Sequence, residues 1–180
     1  MKEDIAQLSK RVDNVSKTAS QNALEIQKIK SFGSIKKEDI PEEGKEQVKI
    51  PEKPDRLYKY ALDAYFKGKM KQSKEAFEKF VKKYRNSELY DNALFWLGQI
   101  YYTEGKYEKA LSIFDSLIQG CKTGQIVDCN KLPTAMLKKA LCYIRLGEKS
   151  KAKKLLNTVV REFPDTEEAE ISLKRLEEMK

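Results

Sequence analysis

Cys121, Cys129 and Cys142 are the residues of this chain with the most chemical reach, and their spacing, C-x7-C-x12-C, fits no zinc or redox motif. Histidine is absent. That removes Ser-His-Asp triads, Cys-His dyads and every histidine-ligated zinc site. The eight glycines are scattered, and none belongs to a phosphate-cradling loop. Carboxylates are plentiful, but number alone designates no acid–base pair. The expectation is a chain that is not an enzyme and that carries no catalytic, cofactor or metal site. Cys121 and Cys129 instead flank one loop, GCKTGQIVDCNKLP. In an oxidising compartment they are expected to form a disulfide, contributing about 2–3 kcal/mol for so short a closed loop. In a reducing compartment they would be two free thiols. Cys142, between Leu141 and Tyr143, reads as a small buried hydrophobe.

The elements that hold these residues follow from a repeat. Ala61, Gly68, Phe77 and Tyr84 mark its first copy. Gly98, Tyr101, Gly105, Tyr107, Ala110, Phe114 and Cys121 mark the second, and Ala140, Tyr143, Gly147, Ala152, Leu156 and Phe163 the third. In each copy the first small residue precedes the turn glycine by seven positions, and the last residue follows it by sixteen. This is a tetratricopeptide pattern, a stack of helix-turn-helix units. Such stacks form binding surfaces. The distance from Tyr84 to Gly98 is 14 positions and that from Cys121 to Ala140 is 19, so five residues are inserted after the second copy. Cys121 occupies the slot of Tyr84 and Phe163, and loss of that aromatic anchor is expected to loosen the junction. Helices are predicted near 55–67, 71–84, 88–104, 107–120, 132–146, 149–163 and 166–179. The last, polar apart from Ile171, Leu173 and Leu176, suits the open end of a solenoid.

Two further segments precede the repeats. Residues 1–30 carry heptads with Ile5, Val12, Ala19 and Ile26 at a and Leu8, Val15, Asn22 and Ile29 at d. The apolar stripe is narrow, as in a seam between chains. Ile and Val at both positions favour three strands over two, and Asn22 would fix register. Residues 31–54, punctuated by Gly33, Pro41, Gly44, Pro51 and Pro54, read as a flexible linker. The fold expected is all-α: a coiled-coil trimerisation helix over 1–30, a linker over 31–54, and over 55–180 a right-handed superhelix of three repeats with a capping helix.

Net charge is +8, and the excess lies on residues 55–180, which carry 25 basic and 18 acidic side chains. Lysine interleaved with glutamate, as in Lys71, Lys74, Glu75, Glu78, Lys79, Lys82 and Lys83, reads as a solvated helix face. No nucleic-acid recognition motif accompanies it; an acidic protein partner or an anionic surface suits it better. No stretch approaches the ~20 apolar residues of a membrane span. Residues 1–8, MKEDIAQL, do not form the apolar core of a signal peptide.

In a tetratricopeptide stack the first helix of each repeat lines a concave face. Carried onto this chain, the facing positions are Asp55, Tyr58, Leu62, Tyr65 and Phe66, then Asn92, Phe95, Gln99, Tyr102 and Thr103, then Thr134, Leu137, Leu141, Ile144 and Arg145. Leu62, Leu141 and Ile144 are expected to pack between helices. Tyr58, Tyr65, Phe66, Phe95 and Tyr102 are the aromatic candidates for a recognition surface. Asn92 and Gln99 suit an extended peptide backbone, and Arg145 adds a cation.

The run Tyr84-Arg85-Asn86-Ser87 followed by Asn92-Ala93-Leu94-Phe95-Trp96-Leu97-Gly98-Gln99-Ile100-Tyr101-Tyr102, and the closing Phe163-Pro164-Asp165-Thr166-Glu167-Glu168-Ala169, resemble the YbgF/CpoB family of Tol-Pal system proteins. Heptads, proline-rich linker and terminal repeats follow in the same order. Arg85 in place of proline and the Cys-flanked insertion depart from the pattern. The resemblance implies a homotrimeric, non-catalytic periplasmic adaptor of Gram-negative bacteria whose targeting segment has been removed. It implies binding to TolA, proximity to a bifunctional penicillin-binding protein, and coordination of outer-membrane constriction with septal peptidoglycan synthesis at cell division. A periplasmic home would favour the Cys121–Cys129 disulfide. The alternatives are a scaffold of outer-membrane protein assembly, similar to the BamD lipoproteins, and a generic tetratricopeptide co-chaperone.

Overall fold

A computed structural model describes residues 50–180. The proposed seam, Ile5, Leu8, Val12, Val15, Ala19, Asn22, Ile26 and Ile29, lies outside the described residues, as does the linker through residue 49. The helices are α1 (Pro54–Phe66), α2 (Met70–Lys83), α3 (Tyr90–Thr103), α4 (Tyr107–Lys122), α5 (Leu132–Arg145), α6 (Lys149–Glu162) and α7 (Glu167–Glu177). Among the described residues all regular structure is helical. No described helix is long and apolar enough to cross a membrane.

One turn is used three times. Gly68, Gly105 and Gly147 have φ of +72°, +72° and +78°, a left-handed conformation open to glycine at little cost. In each turn the next amide reaches back into the finished helix: Lys69 N–H donates to Ala64 O at 2.8 Å, Lys106 N–H to Tyr101 O at 2.9 Å, and Glu148 N–H to Tyr143 O at 2.8 Å. The last carbonyls are thereby satisfied and the chain reverses sharply. Pro54 and Pro133 sit at helix starts, where their missing donor costs nothing. The Thr166 side chain accepts from Ala169 N–H and caps the start of α7.

Each reversal presses a small residue on the first helix against a large one on the second. Ala61, Gly98 and Ala140 are buried, as are Phe77, Phe114 and Leu156. A Cβ on Gly98 would stand 2.6 Å from the Phe114 ring. In the first pair Ser73 takes the slot that Ala110 and Ala152 fill in the others. Its buried hydroxyl donates to Ala61 O at 2.8 Å, so the close approach carries no unpaired polar group. Beyond chain neighbours, α3 touches α5 and α5 touches α7. The odd-numbered helices therefore form the inner, more tightly spaced layer.

The charged face of α2 does more than meet solvent. Lys74 pairs with Glu104 at 2.7 Å, and Tyr101 O–H donates to Glu78 at 2.6 Å, tying α2 to α3. That hydrogen bond, with burial, pushes the Tyr101 hydroxyl up to about 12.

The insertion is anchored rather than loose. Cys121 and Cys129 are joined by a disulfide. α4 runs to Lys122, two residues past its sequence expectation, and the chain then turns at Gly124, φ +70°. Ile126, 6 % exposed, folds back onto Gly120, where a Cβ would lie 2.6 Å from its Cδ1. An aliphatic side chain from the inserted loop thus packs beside the Cys121 position, in the same core cluster. Asp91, fully buried, accepts from the backbone and side-chain N–H groups of Asn92 at 2.6 and 2.7 Å. Its other oxygen accepts from Lys131 N–H at 3.3 Å, so the carboxylate fastens α3 to the far end of the inserted loop. Burial raises the Asp91 carboxyl above its ordinary value, and its hydrogen bonds oppose the shift only in part.

Gly98→Ala should destabilise the fold by about 1–3 kcal/mol in urea unfolding, because the fully buried Phe114 has nowhere to move and overpacking outweighs the gain in helix propensity. A near-neutral result would mean that α3 and α4 can separate freely. For Asp91, a raised folded-state value means the folded chain holds its proton longer than the unfolded chain. Stability from this group is present at low pH and is lost as pH climbs from the ordinary carboxylate value through the raised one. Unfolding free energies of the wild type and Asp91→Asn, measured across pH 3–7, should shift steadily in favour of the variant as pH rises. Parallel curves would refute the assignment.

Candidate protein-binding groove

The inner layer has a contact rule of its own. The aromatic residue near the end of one odd helix meets, on the next odd helix, the residue two places before the small packing position. Tyr65 of α1 meets Trp96 of α3 with ring centroids 4.9 Å apart. Phe66 stands edge-on to the same indole at 5.7 Å and to Tyr65 at 5.6 Å. Phe66 is 70 % exposed, the larger part of a phenyl ring left in water.

One repeat later Tyr102 of α3 meets Lys138 of α5, whose ammonium lies 5.8 Å from the ring centroid. Arg145 Nε–H donates to the Tyr102 hydroxyl at 3.4 Å, and Tyr107 stacks edge-on to Tyr102 at 5.4 Å. Lys138 is half-buried, and desolvation lowers its ammonium below the usual lysine value. Its neighbour Cys142, fully buried, has its thiol pushed up to about 12 by burial and is unreactive as a nucleophile.

The residues chosen from sequence divide into two groups. Tyr65, Phe66, Gln99, Tyr102 and Arg145 lie at these two steps or on the helix between them. Tyr58 and Phe95 do not join the open surface; each is only 9 % exposed. Tyr58 packs against Phe77 and Phe80 at 5.8 Å, and Phe95 against Phe114 at 6.3 Å, so both belong to helix-pair cores. Asn92 directs its backbone N–H and one side-chain N–H to Asp91. Gln99 donates to Thr103 Oγ1 at 3.4 Å and leaves its carbonyl oxygen buried without a partner. Leu62 and Leu137 are buried, while Leu141 and Ile144 pack toward α6 and α7, as expected for spacers between helices. Thr134 donates to Glu168 of α7 at 2.6 Å.

Trp96 and Lys138 were missed as surface residues. Their common place, two before Gly98 and Ala140, was the available signal. Among the described residues, no grouping of three or more Cys, Asp or Glu is placed to hold a metal ion. A shallow, open surface depression is lined by Glu75, Glu78, Lys79, Lys82 and Lys83 of α2.

Comparison with known proteins gives the same outline. A tetratricopeptide-repeat family model matches residues 58–124, and a second matches residues 134–166. Among solved structures, the N-terminal domain of stress-induced protein-1 (STI-1) from C. elegans is similar with a TM-score of 0.59. That similarity covers 70 % of this chain and 93 % of the other at 13 % identity, so it is one of fold. No curated protein matches the sequence.

Core and surface aromatics should separate cleanly on substitution. Phe95→Ala is expected to cost about 3–5 kcal/mol in chemical denaturation. Phe66→Ser should stay within about 0.5 kcal/mol of wild type yet change the emission of Trp96, the single tryptophan of the chain. Equal costs would place both rings in the core.

Proposed function

We propose that this tetratricopeptide-repeat protein is a non-catalytic adaptor that holds an extended segment of a partner protein across its odd-helix groove. The observation that carries this reading is the pair of open aromatic steps, Tyr65–Phe66–Trp96 and Tyr102–Lys138–Arg145, on adjacent repeats of one face. Exposed aromatic area with polar tips is what peptide-recognition surfaces use, because rigid rings bury much surface at little entropic cost.

The partner in this reading is TolA, and the setting is the Tol-Pal system at the division site. The adaptor there couples outer-membrane constriction to septal peptidoglycan synthesis, with a bifunctional penicillin-binding protein as a further partner. Support comes from the Asn92–Tyr102 run, the closing Phe163–Ala169 run, and the order of heptads, linker and repeats. The heptads would make the adaptor a homotrimer, presenting three grooves on linkers. A periplasmic location is supported by the Cys121–Cys129 bond, since disulfides persist in oxidising compartments.

Calorimetric titration of the periplasmic part of TolA into the full chain tests this directly, with sedimentation equilibrium fixing the oligomeric state. Saturable binding, weakened about tenfold or more (about 1.4 kcal/mol) by Phe66→Ala together with Tyr102→Ala, is the expected result. No heat of binding at any attainable concentration would remove TolA as the partner.

A further inference from the structure

The two steps of the groove obey one geometric rule but differ in chemistry. The first is purely aromatic: Tyr65, Phe66 and Trp96. The second sets two cations, Lys138 and Arg145, against the ring and hydroxyl of Tyr102. Neither cation has a carboxylate partner among the described residues.

Four acidic groups of the flanking elements are engaged elsewhere. Glu104 is held by Lys74 and Lys106, Asp115 by Lys139, Glu148 by Lys151, and Glu168 by the Thr134 hydroxyl. The contrast within α5 is direct: Lys139 reaches a carboxylate, and Lys138, one residue earlier, turns to the groove without one. A half-buried ammonium with only a ring face for company is incompletely solvated, and a carboxylate arriving from outside would complete its environment. Desolvation of Lys138 points the same way.

We propose that the groove recognises an extended acidic segment, with an aromatic or large aliphatic side chain on the Trp96 step and an Asp or Glu carboxylate on the Tyr102 step. The assignment rests on the reading of this face as a peptide groove and adds the partner's chemistry. It also fixes a spacing. Trp96 and Tyr102 lie six residues apart on α3, ~9 Å of helical rise. Crossing from the α1 side to the α5 side adds ~8–10 Å, one interaxial distance. The steps are thus ~13 Å apart, about four residues of extended chain. Arg145 at the rim supplies a two-pronged donor for the incoming carboxylate, and Lys138 below it supplies a point charge.

The test uses the full chain and an array of short peptides in a Gly-Ser background. Each carries one Phe and one Asp at varied separation, and a matched set carries Lys in place of Asp. The Asp set should be retained at least about tenfold more tightly, with the best separation near four residues and with affinity falling as salt rises. Soluble copies of the best peptides should shift Trp96 emission. Lys138→Met combined with Arg145→Gln, with helical content unchanged by circular dichroism, should abolish the preference for Asp over Lys. Phe66→Ser should weaken both sets. A Lys set that binds as well as the Asp set, or a double variant that still prefers Asp, overturns the acidic assignment while leaving a peptide groove in place. If no array peptide binds but the TolA titration succeeds, the linear acidic motif is wrong and the adaptor reading stands. If both fail, both fall.

Discussion

Everything in this fold depends on how closely two helices of a pair can approach. Ala61, Gly98 and Ala140 each bring a helix backbone against Phe77, Phe114 or Leu156, with Ser73, Ala110 and Ala152 small on the opposite side. Close approach buries the large residue completely, and dispersion and hydrophobic contacts scale with that burial. It also sets the tilt of each pair, and through tilt the relation of one pair to the next. In the tightest case the tolerance is less than one methyl group.

The groove is a by-product of that constraint. Because the paired faces bury the large residues of α2, α4 and α6, the odd helices are free to turn other side chains toward one another. A cluster of rings therefore forms beside Trp96 without being needed for the core. Neither Phe66 nor Arg145 is consumed by packing, in contrast to Tyr58 and Phe95 on the same helices or their equivalents. Surface chemistry in such a stack can change from repeat to repeat while the fold stays fixed. The aromatic first step and the cationic second step are one instance of this freedom.

The helices were legible in the sequence, with every end falling within two residues of its expected place. The reason is local: a turn that needs φ near +70° announces itself as glycine, and the small–large alternation repeats with it. The assignment of side chains to the groove was less legible. Tyr58 and Tyr65 sit on one helix, yet the first faces α2 and the second faces α3. Periodicity gives a direction around a helix, but the neighbour met in that direction depends on the crossing of three helices. Ser73 was invisible for another reason, since a hydroxyl that closes its own hydrogen bond can replace alanine without any apolar signature. The insertion was found by counting, but the packing of Ile126 onto Gly120 required the loop's shape. The heptads, and the linker through residue 49, fall outside the described residues, so that part of the sequence reading rests on its pattern alone.

The Cys121–Cys129 bond has a meaning for load as well as for stability. Tension carried along the chain from α4 to α5 would pass through sulfur, and the seven residues between the cysteines would feel none of it. Those residues represent roughly 25 Å of contour length when extended. While the bond is intact that length is withheld, and a pull on one repeat is delivered to the next without slack. A repeat stack under tension would transmit displacement more faithfully with the longest loop among its described residues short-circuited in this way. Reduction would turn a stiff coupling into a compliant one without altering a helix.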